Sequence, residues 1–324
     1  MTPCNPVPDL VDIARQSVRL ISPDGAARIA AFLLDACDDD AAFTNRAGEP
    51  DLYYSGFGLD ALLALGAAPR NPQGPRAFIQ HALDMPSPSF VDSASALRCL
   101  HALDRAGCGQ PDDSELRDQA LHAIIRHRSA DGGYNHEREG AAHGTVYAAY
   151  LAAQAHRDAG TPWPKAPEAL ASLETLRTPD GGFANHVGAA QGSTPATAAA
   201  VVLFVHAGSL APALEACRFL ALCRGPEGGY RAAPSAPLPD LLSTATALYA
   251  EALAAPLDAP PAMRPNLAFI ESLWGDNGGF RGHAHDDAAD VEYTFYGLLA
   301  LGALAARATF CPRYQVWTAS RSWV

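Results

Sequence analysis

The segment Asp-Gly-Gly-Tyr at residues 131–134 recurs along the chain and decides how the rest of the sequence is read. Related segments are DGGF at 180–183, EGGY at 227–230 and NGGF at 277–280, so the aromatic residues lie 49, 47 and 50 positions apart. Two weaker copies end at Phe43 and Phe90, without the glycines. A regular period of this length indicates a repeat architecture.

Each copy lies between two stretches of helical periodicity. The preceding stretches space apolar residues three or four apart with charges between them, as in ELRDQALHAIIRHR (115–128), which predicts a helix with one face in water. The following stretches are apolar on nearly every side, as in STPATAAAVVLFV (193–205), which predicts a buried helix. Six such outer–inner pairs predict an all-α fold, a closed α/α toroid (α6/α6 barrel) of twelve helices, with an open solenoid as the competing arrangement.

We expect a single toroid over residues 1–324, with repeats over about 20–306 and a tail, 307–324, that packs back on it. The chain is 48% hydrophobic and carries a net charge of −12 without an acidic tail, which disfavours nucleic acid and anionic membranes as main partners. Seven scattered cysteines without a Cys-x-x-Cys pair favour a reducing compartment. No apolar run is long enough for a transmembrane segment, so we expect a cytoplasmic protein.

All six outer-to-inner connections are predicted at one end of the toroid, so six helix N-termini meet at one mouth. Such a ring attracts anions, although Asp and Ser at a helix start also cap its free N–H groups. The first polar residues of the inner helices are Asp51, Ser89, His143, Ser193, Asp240 and Asp290. Seven positions on, a mostly small residue lets neighbouring inner helices approach: Gly58, Ala96, Tyr150, Ala200, Ala247 and Gly297.

Aromatic residues are frequent just below this mouth. They pack either in the core or around a central cavity, where their faces suit the chain of a hydrophobic small molecule and stabilise positive charge. The candidate substrate-binding aromatics are Tyr54, Phe57, Tyr147, Tyr293 and Tyr296.

The repeats resemble those of the protein prenyltransferase β subunits and the terpenoid cyclases of the squalene–hopene type, which are α/α toroids with Gly-Gly-aromatic turns. The resemblance covers about residues 20–306 and implies an enzyme that handles isoprenoids. The segment EGAAHGTVYAAYLAA (139–153) is similar to the prenyltransferase segment in which a His followed by Gly contacts the prenyl diphosphate. This similarity implies His143 as a diphosphate ligand, and a rim or capping histidine is the alternative.

Two departures from these families concern the chemistry. The segment GGFRGHAHDDAADVEYTFYGLLALG (278–302) resembles the one in which an Asp and a Cys two residues later bind zinc, but Glu292 follows Asp290 where the Cys would be. The matching His is missing as well, so the usual zinc triad is absent. In SFVDSA (89–94), Asp92 is kept, whereas Val91 stands where a cyclase has its proton donor. The candidate catalytic residues are Asp290, Glu292, Asp240 and Asp92.

Other cofactor arrangements stay open, with Mg²⁺ or Zn²⁺ as the metals to test. Asp286, Asp287 and Asp290 have the spacing of the aspartate-rich magnesium motif of class I terpene synthases. His283 and His285, together with Asp290 and Glu292, would form a His–carboxylate metal site. Chance clustering in an acidic protein and solvated loop histidines are the alternatives.

Four arginines follow the turn aromatics in corresponding loops, where they either meet a diphosphate bidentately or are simply exposed. Of these residues (Arg46, Arg138, Arg231 and Arg281), Arg281 lies closest to the acidic segment and is the candidate for substrate binding.

Three functions follow from these patterns. The first is a prenyltransferase-like or terpene-cyclase-like enzyme that holds an isoprenoid chain in the cavity and its diphosphate at the mouth. The second is a non-catalytic isoprenoid carrier, and the third is a carbohydrate-active barrel that uses paired carboxylates among Asp51, Asp240 and Glu292. A heterodimeric prenyltransferase would also need a helical partner subunit, about which the sequence says nothing.

Overall fold

A computed structural model describes residues 7–37, 42–71, 73–254 and 263–310, and confirms the α/α toroid. The inner helices are α3 (Leu52–Ala64), α5 (Phe90–Arg105), α7 (Val146–Asp158), α9 (Thr194–His206), α11 (Leu241–Ala254) and α13 (Val291–Phe310). The outer helices are α2 (Pro23–Asp35), α4 (Gly74–Leu83), α6 (Asp113–Arg126), α8 (Ala166–Ser172, followed by a 3-10 helix at Leu173–Leu176), α10 (Leu210–Leu222) and α12 (Met263–Ser272).

The inner helices form a closed ring. Each contacts the next in chain order, and α13 returns to contact α3, so the competing open solenoid is wrong. Inner helices such as α9 are buried on nearly every side because neighbours and an outer helix surround them. The apolar pattern all round these helices is therefore a consequence of ring closure.

The Gly-Gly-aromatic turns join the outer helices to the inner ones and bury their aromatic rings. In the fifth repeat, β1 (Tyr230–Arg231) pairs antiparallel with β2 (Pro239–Asp240), and in the sixth, β3 (Phe280–Arg281) pairs with β4 (Ala289–Asp290). The backbone N–H of four turn aromatics donates to a hydroxyl on the inner helix that follows. These pairs are Phe43–Ser55, Phe183–Thr197, Tyr230–Thr244 and Phe280–Thr294, at 3.0, 2.9, 2.9 and 3.1 Å.

Glycine on the inner helices makes room for these aromatic rings. A Cβ at Gly58 would lie 2.4 Å from the Phe43 ring, and one at Gly297 would lie 2.7 Å from the Phe280 ring. At these two positions the small residue accommodates the turn aromatic of its own repeat. The expected close approach of neighbouring inner helices does not include this role.

The second and third repeats depart from the expected register. Phe90 is the first residue of α5, with Ser89 as its N-cap, so it is a helix residue and not a turn aromatic. In α7 the N-cap is Thr145, whose hydroxyl accepts from the Ala148 N–H, so His143 lies two residues before the helix. The other first polar residues do cap their helices, namely Asp51, Ser89, Ser193, Asp240 and Asp290.

A segment that the repeat pattern did not predict closes the far end of the ring. Helix α1 (Leu10–Ala14) and a 3-10 helix (Arg15–Arg19) contact α3 and α13, the two helices that meet where the ring closes. Arg105, at the end of α5, forms ion pairs of 2.7 Å with Asp9 and 2.6 Å with Asp12. The C-terminal ends of the inner helices are thus covered, and the N-terminal ends form the mouth.

The last helix is longer than expected. It continues to Phe310, so residues 307–310 of the expected tail are helical, and residues 311–324 lie outside the described part. Among the helices of the described ranges, none combines the length and apolarity needed to cross a membrane.

We expect Thr244→Val to destabilise the protein by roughly 1–3 kcal/mol, because it leaves the buried Tyr230 N–H without an acceptor. Thr246→Val is the matched control on the same helix, since the Thr246 hydroxyl only donates to carbonyls of its own helix. Urea unfolding of both variants measures the difference. Equal stabilities would show that the turn does not depend on this hydrogen bond.

Candidate functional site

A central cavity of about 210 Å³ runs along the axis of the ring. It reaches from the second residues of several inner helices, such as Tyr53 and Tyr147, to Leu10 of α1 at the covered end. Because α1 covers that end, the cavity is approached from the mouth. Its aromatic lining consists of Tyr53, Phe57, Tyr147, Tyr150, Tyr249, Phe295 and Tyr296.

The aromatic rings near the mouth pack against one another. The Phe57 ring centroid lies 4.8 Å from that of Tyr53, 5.3 Å from that of Tyr296 and 5.5 Å from that of Phe295. Burial raises the pKa of the Tyr147 hydroxyl to about 12, so it stays protonated at neutral pH. The cavity wall near the mouth therefore consists mainly of ring faces and neutral hydroxyls.

One arginine joins the first repeat to the sixth at the mouth. Arg46 donates to both carboxylate oxygens of Asp286, at 3.1 and 2.7 Å, and its Nε donates to Asp290 at 2.6 Å. The hydrogen bonds from Arg46 lower the pKa of Asp286 to about 2. The guanidinium carbon also lies 5.4 Å from the centre of the Tyr293 ring. Arg46 thus supplies the positive charge that pairs with the carboxylates of the acidic segment.

This arrangement does not support the predicted metal site. In the described residues, no group of three or more His, Cys, Asp or Glu side chains is placed to hold a metal ion. Asp286 and Asp290 are bound by Arg46, Asp287 is exposed, and His283 accepts a hydrogen bond from the His285 backbone. Asp286 and Asp290 converge on the Arg46 guanidinium, and the other predicted ligands do not join them in a metal-binding group.

Glu292 is the second residue of α13 and lies behind Tyr53, which lines the upper part of the cavity. Its Oε1 accepts a hydrogen bond of 2.7 Å from the Tyr53 hydroxyl. Burial raises the pKa of the Glu292 carboxyl above its ordinary value, and the nearby Asp290 acts in the same direction. A carboxyl whose pKa is moved towards neutrality is suited to exchange protons with a ligand.

The other predicted site residues are distributed around the mouth. Tyr54 and Tyr293 flank the Arg46 cluster and do not line the cavity, whereas Phe57, Tyr147 and Tyr296 do. Asp240 accepts from the backbone N–H and hydroxyl of Ser243 at the start of α11.

Three predicted residues do not face the cavity. Asp92, on the first turn of α5, is absent from the cavity wall. His143 is 57% exposed in the loop before α7, 3.4 Å from Asp131. Arg281 donates to the carbonyl oxygens of Ser272 on α12 and of Asp286, and it is absent from the cavity wall.

Sequence reasoning missed two charged groups deep in the ring. Arg98 of α5 lines the cavity, and its Nε donates to Asp60 of α3 at 2.6 Å. Asp158, the last residue of α7, lines the cavity near its covered end. In the sequence, these residues could have been noticed as charged residues on inner helices. The periodicity alone, however, does not tell which face of the helix a charged residue occupies.

Comparisons with known proteins identify the family and the fold. The family model of the prenyltransferase alpha-alpha toroid domain matches residues 76–236 and 212–320. No curated protein matches in sequence.

Among solved structures, the type II terpene cyclase MstE from Scytonema, in complex with geranylgeranyl dihydroxybenzoate, has a TM-score of 0.59 at 13% identity, over 91% of this chain and 99% of that one. The Candida albicans protein geranylgeranyltransferase-I complexed with GGPP has a TM-score of 0.53 at 13% identity, over 75% and 82%. An α-1,6-mannanase of Salegentibacter reaches a TM-score of 0.59, also at 13% identity, over 88% and 99%. At these identities the likenesses show the fold alone.

We expect Arg46→Gln to destabilise the protein by roughly 1–3 kcal/mol, because it leaves the buried Asp290 carboxylate without its cation. In the wild type, the lowered pKa of Asp286 stabilises the folded protein at neutral pH, and this contribution is lost as the pH falls towards 2. The substitution should raise the pKa of Asp286 and so reduce this contribution. Arg138→Gln, in the corresponding exposed loop of the third repeat, is the control. Thermal unfolding between pH 7 and pH 2.5 measures both effects, and identical profiles for the two variants would contradict the role of Arg46.

We expect Glu292→Gln to stabilise the protein at pH 8 and to have no stabilising effect at pH 4. The raised pKa of Glu292 means that its favourable protonated form is lost as the pH rises through that pKa, whereas glutamine stays neutral and still accepts from Tyr53. The expected rise in melting temperature at pH 8 is about 2 °C, as ~1 kcal/mol gives in a chain of this size. The exposed Glu271→Gln is the control. A gain that is the same at both pH values would rule out ionisation of Glu292 as its cause.

Proposed function

The chain belongs to the prenyltransferase α/α toroid family, and we propose that it is a prenyltransferase-like or terpene-cyclase-like enzyme that holds an isoprenoid chain in its central cavity with the polar head at the mouth. The observation that carries this proposal is the cavity itself, which is covered at one end by α1 and lined by seven aromatic residues. Ring faces accept a hydrocarbon chain without leaving polar groups unpaired.

The upper cavity has the chemistry for a reaction that develops positive charge. The rings of Tyr53, Tyr147 and Tyr296 line this part of the cavity, and the negative electrostatic potential of ring faces stabilises a cation on the chain. Glu292 has a raised pKa and accepts a hydrogen bond from the cavity-lining Tyr53, so it would exchange a proton with the chain through the Tyr53 hydroxyl. Arg98 lies deeper and would repel a cation beside it, so we place the reacting part of the chain near the mouth.

The net charge at the mouth affects how the diphosphate head group would bind. Asp240, Asp286, Asp290 and Glu292 outnumber Arg46, and several helix N-termini are capped by their own Asp or Ser. A free diphosphate would therefore be repelled, and we expect its binding to depend on a divalent cation brought with it. The zinc ligand set of the prenyltransferases does not fit these residues, so no step of the proposal uses zinc.

A carrier function is the second candidate, and one specific observation favours it. Val91 and Glu292 stand where the related enzymes have a proton donor and a zinc ligand, so neither family's usual chemistry is available. A product from any prenyl diphosphate in a turnover screen would decide for the enzyme. Recovery of bound lipid without any turnover would decide for the carrier.

The carbohydrate-active alternative receives less support from the site. The described tryptophans pack on turn aromatics, with Trp163 stacked on Tyr134 and Trp274 on Phe280. Neither lines the cavity.

We expect geranyl S-thiolodiphosphate to bind in the presence of Mg²⁺, and Ala199→Phe to weaken that binding by about tenfold or more, a loss of ~1.4 kcal/mol. Ala199 faces the cavity from α9, where a phenyl group would occupy the space of the chain. Ala27→Phe on the exposed face of outer helix α2 is the matched control. Isothermal titration calorimetry measures both, and absence of binding at millimolar ligand, with and without Mg²⁺, would refute the proposal.

A further inference from the structure

The cavity contains a buried ion pair that the proposed chemistry does not use. Arg98 and Asp60 each lie eight residues after the first residue of their helix, which places them about 12 Å below the mouth. The Arg98 Nε donates to Asp60 Oδ2 at 2.6 Å, with side-chain exposures of 19% and 6%. Burying two charges among apolar residues costs free energy that their mutual attraction rarely exceeds. Because its cost is not repaid by stability alone, a pair that lines the cavity at this depth points to a role in binding.

The Arg98 guanidinium is held in place but largely without hydrogen-bond partners. Its central carbon lies 4.0 Å from the Phe57 ring centroid and 5.0 Å from that of Phe295, so the two rings hold its plane. A Cβ at Gly56 would lie 3.1 Å from Arg98 Cδ, so the glycine makes room for the side chain. Among the described residues the bond to Asp60 is the only hydrogen bond that the guanidinium makes. Its Nη2 is enclosed by protein without a partner, so the unpartnered Nη1 is the nitrogen left to meet a ligand in the cavity. A guanidinium has five N–H donors, so most of its hydrogen-bonding capacity is unused.

The covered end of the same cavity is polar as well. Asp158 and Gln154 line it from α7, one turn apart. Asp158 makes no hydrogen bond or ion pair with the described residues, and it lies at a helix C-terminus, where the helix dipole disfavours a carboxylate. Burial raises the pKa of Asp158 to about 6. The cavity therefore changes from aromatic near the mouth to polar below Arg98.

We propose that the chain held in this cavity is an isoprenoid whose inner end carries a neutral oxygen acceptor, a hydroxyl or a carbonyl, and that Arg98 is the residue that selects it. This inference rests on the proposed function and names the substrate class of the same site. A plain hydrocarbon end would seal the Nη1 N–H groups of Arg98 away from water without an acceptor, at a cost in binding. An oxygen at that depth accepts from them.

The charge balance favours a neutral oxygen over a carboxylate. Asp60 already neutralises Arg98, and Asp158 adds a further acidic group below it. A second carboxylate would therefore enter a site without an unpaired positive charge. A hydroxyl has the additional advantage that it can donate to Asp158 or Gln154 while it accepts from Arg98.

The test compares two ligands that differ only at the inner end: geranyl S-thiolodiphosphate and its analogue with a hydroxyl on C8, the terminal carbon of the chain. Calorimetry on the full chain with Mg²⁺ should show the hydroxylated ligand binding about tenfold to a hundredfold more tightly, as a hydrogen bond from a charged donor provides. Equal affinities would overturn the inference and leave the proposed function standing. If neither ligand binds, both the inference and the proposed function are overturned.

Two variants assign the preference to Arg98. The double variant Asp60→Leu/Arg98→Met replaces the pair by apolar side chains of similar volume, a change that folded proteins often tolerate, and it should abolish or reverse the preference. Arg98→Lys keeps a cation for Asp60 but removes the planar set of donors, so it should reduce the preference even if the double variant does not fold. Arg138→Met in an exposed loop should leave the preference unchanged. A hydroxyl preference of wild-type size in Arg98→Lys would show that another residue selects the oxygen.

Discussion

The structure depends on one recurring hydrogen bond, from the backbone N–H of a buried turn aromatic to a hydroxyl on the inner helix that follows. It appears in the first, fourth, fifth and sixth repeats, with Ser55 or a threonine as the acceptor. Each bond ties the end of an outer helix to the wall of the ring and buries the aromatic ring between them. Because the bond always lies at the same end of the inner helices, all the connecting loops gather there. The mouth, and the acidic residues around it, follow from this constraint.

Much of the architecture was predictable from sequence because periodicity reports burial. The outer helices showed one polar face and the inner helices none, and these patterns gave the helix pairs and the closed ring. The aromatic-to-hydroxyl bonds lie at a spacing of fourteen residues in three repeats, but a single threonine in an apolar helix carries no periodic signal. The prediction of a turn aromatic in the second repeat was wrong because the segment MPSPSF ends in Phe90, which begins a helix. Comparison of short motifs cannot distinguish such a residue from one in a turn.

The site was harder to predict because its contacts join distant parts of the chain. Arg46 and Asp286 are 240 residues apart, and only closure of the ring makes them neighbours. The sequence shows Asp60 and Arg98 as charged residues in apolar helices. Predicting that they pair, however, requires the angle at which α3 and α5 meet. The resemblance to zinc enzymes drew attention to the acidic segment, where side-chain direction, not composition, decides the partners. The cavity has an aromatic upper part and a polar lower part, and that division was invisible without coordinates.

The position of helix α1 has a consequence for how the protein is made. Its neighbours include α3, which follows it closely, and α13, which is the last helix of the described chain. Residues near the N-terminus are synthesised first, but their packing surface is complete only when the last repeat has left the ribosome. During that interval the apolar side chains of Val11 and Ile13, both buried in the finished molecule, have no complete partner surface. During synthesis the apolar side chains of this N-terminal segment therefore stay exposed until the final helix arrives.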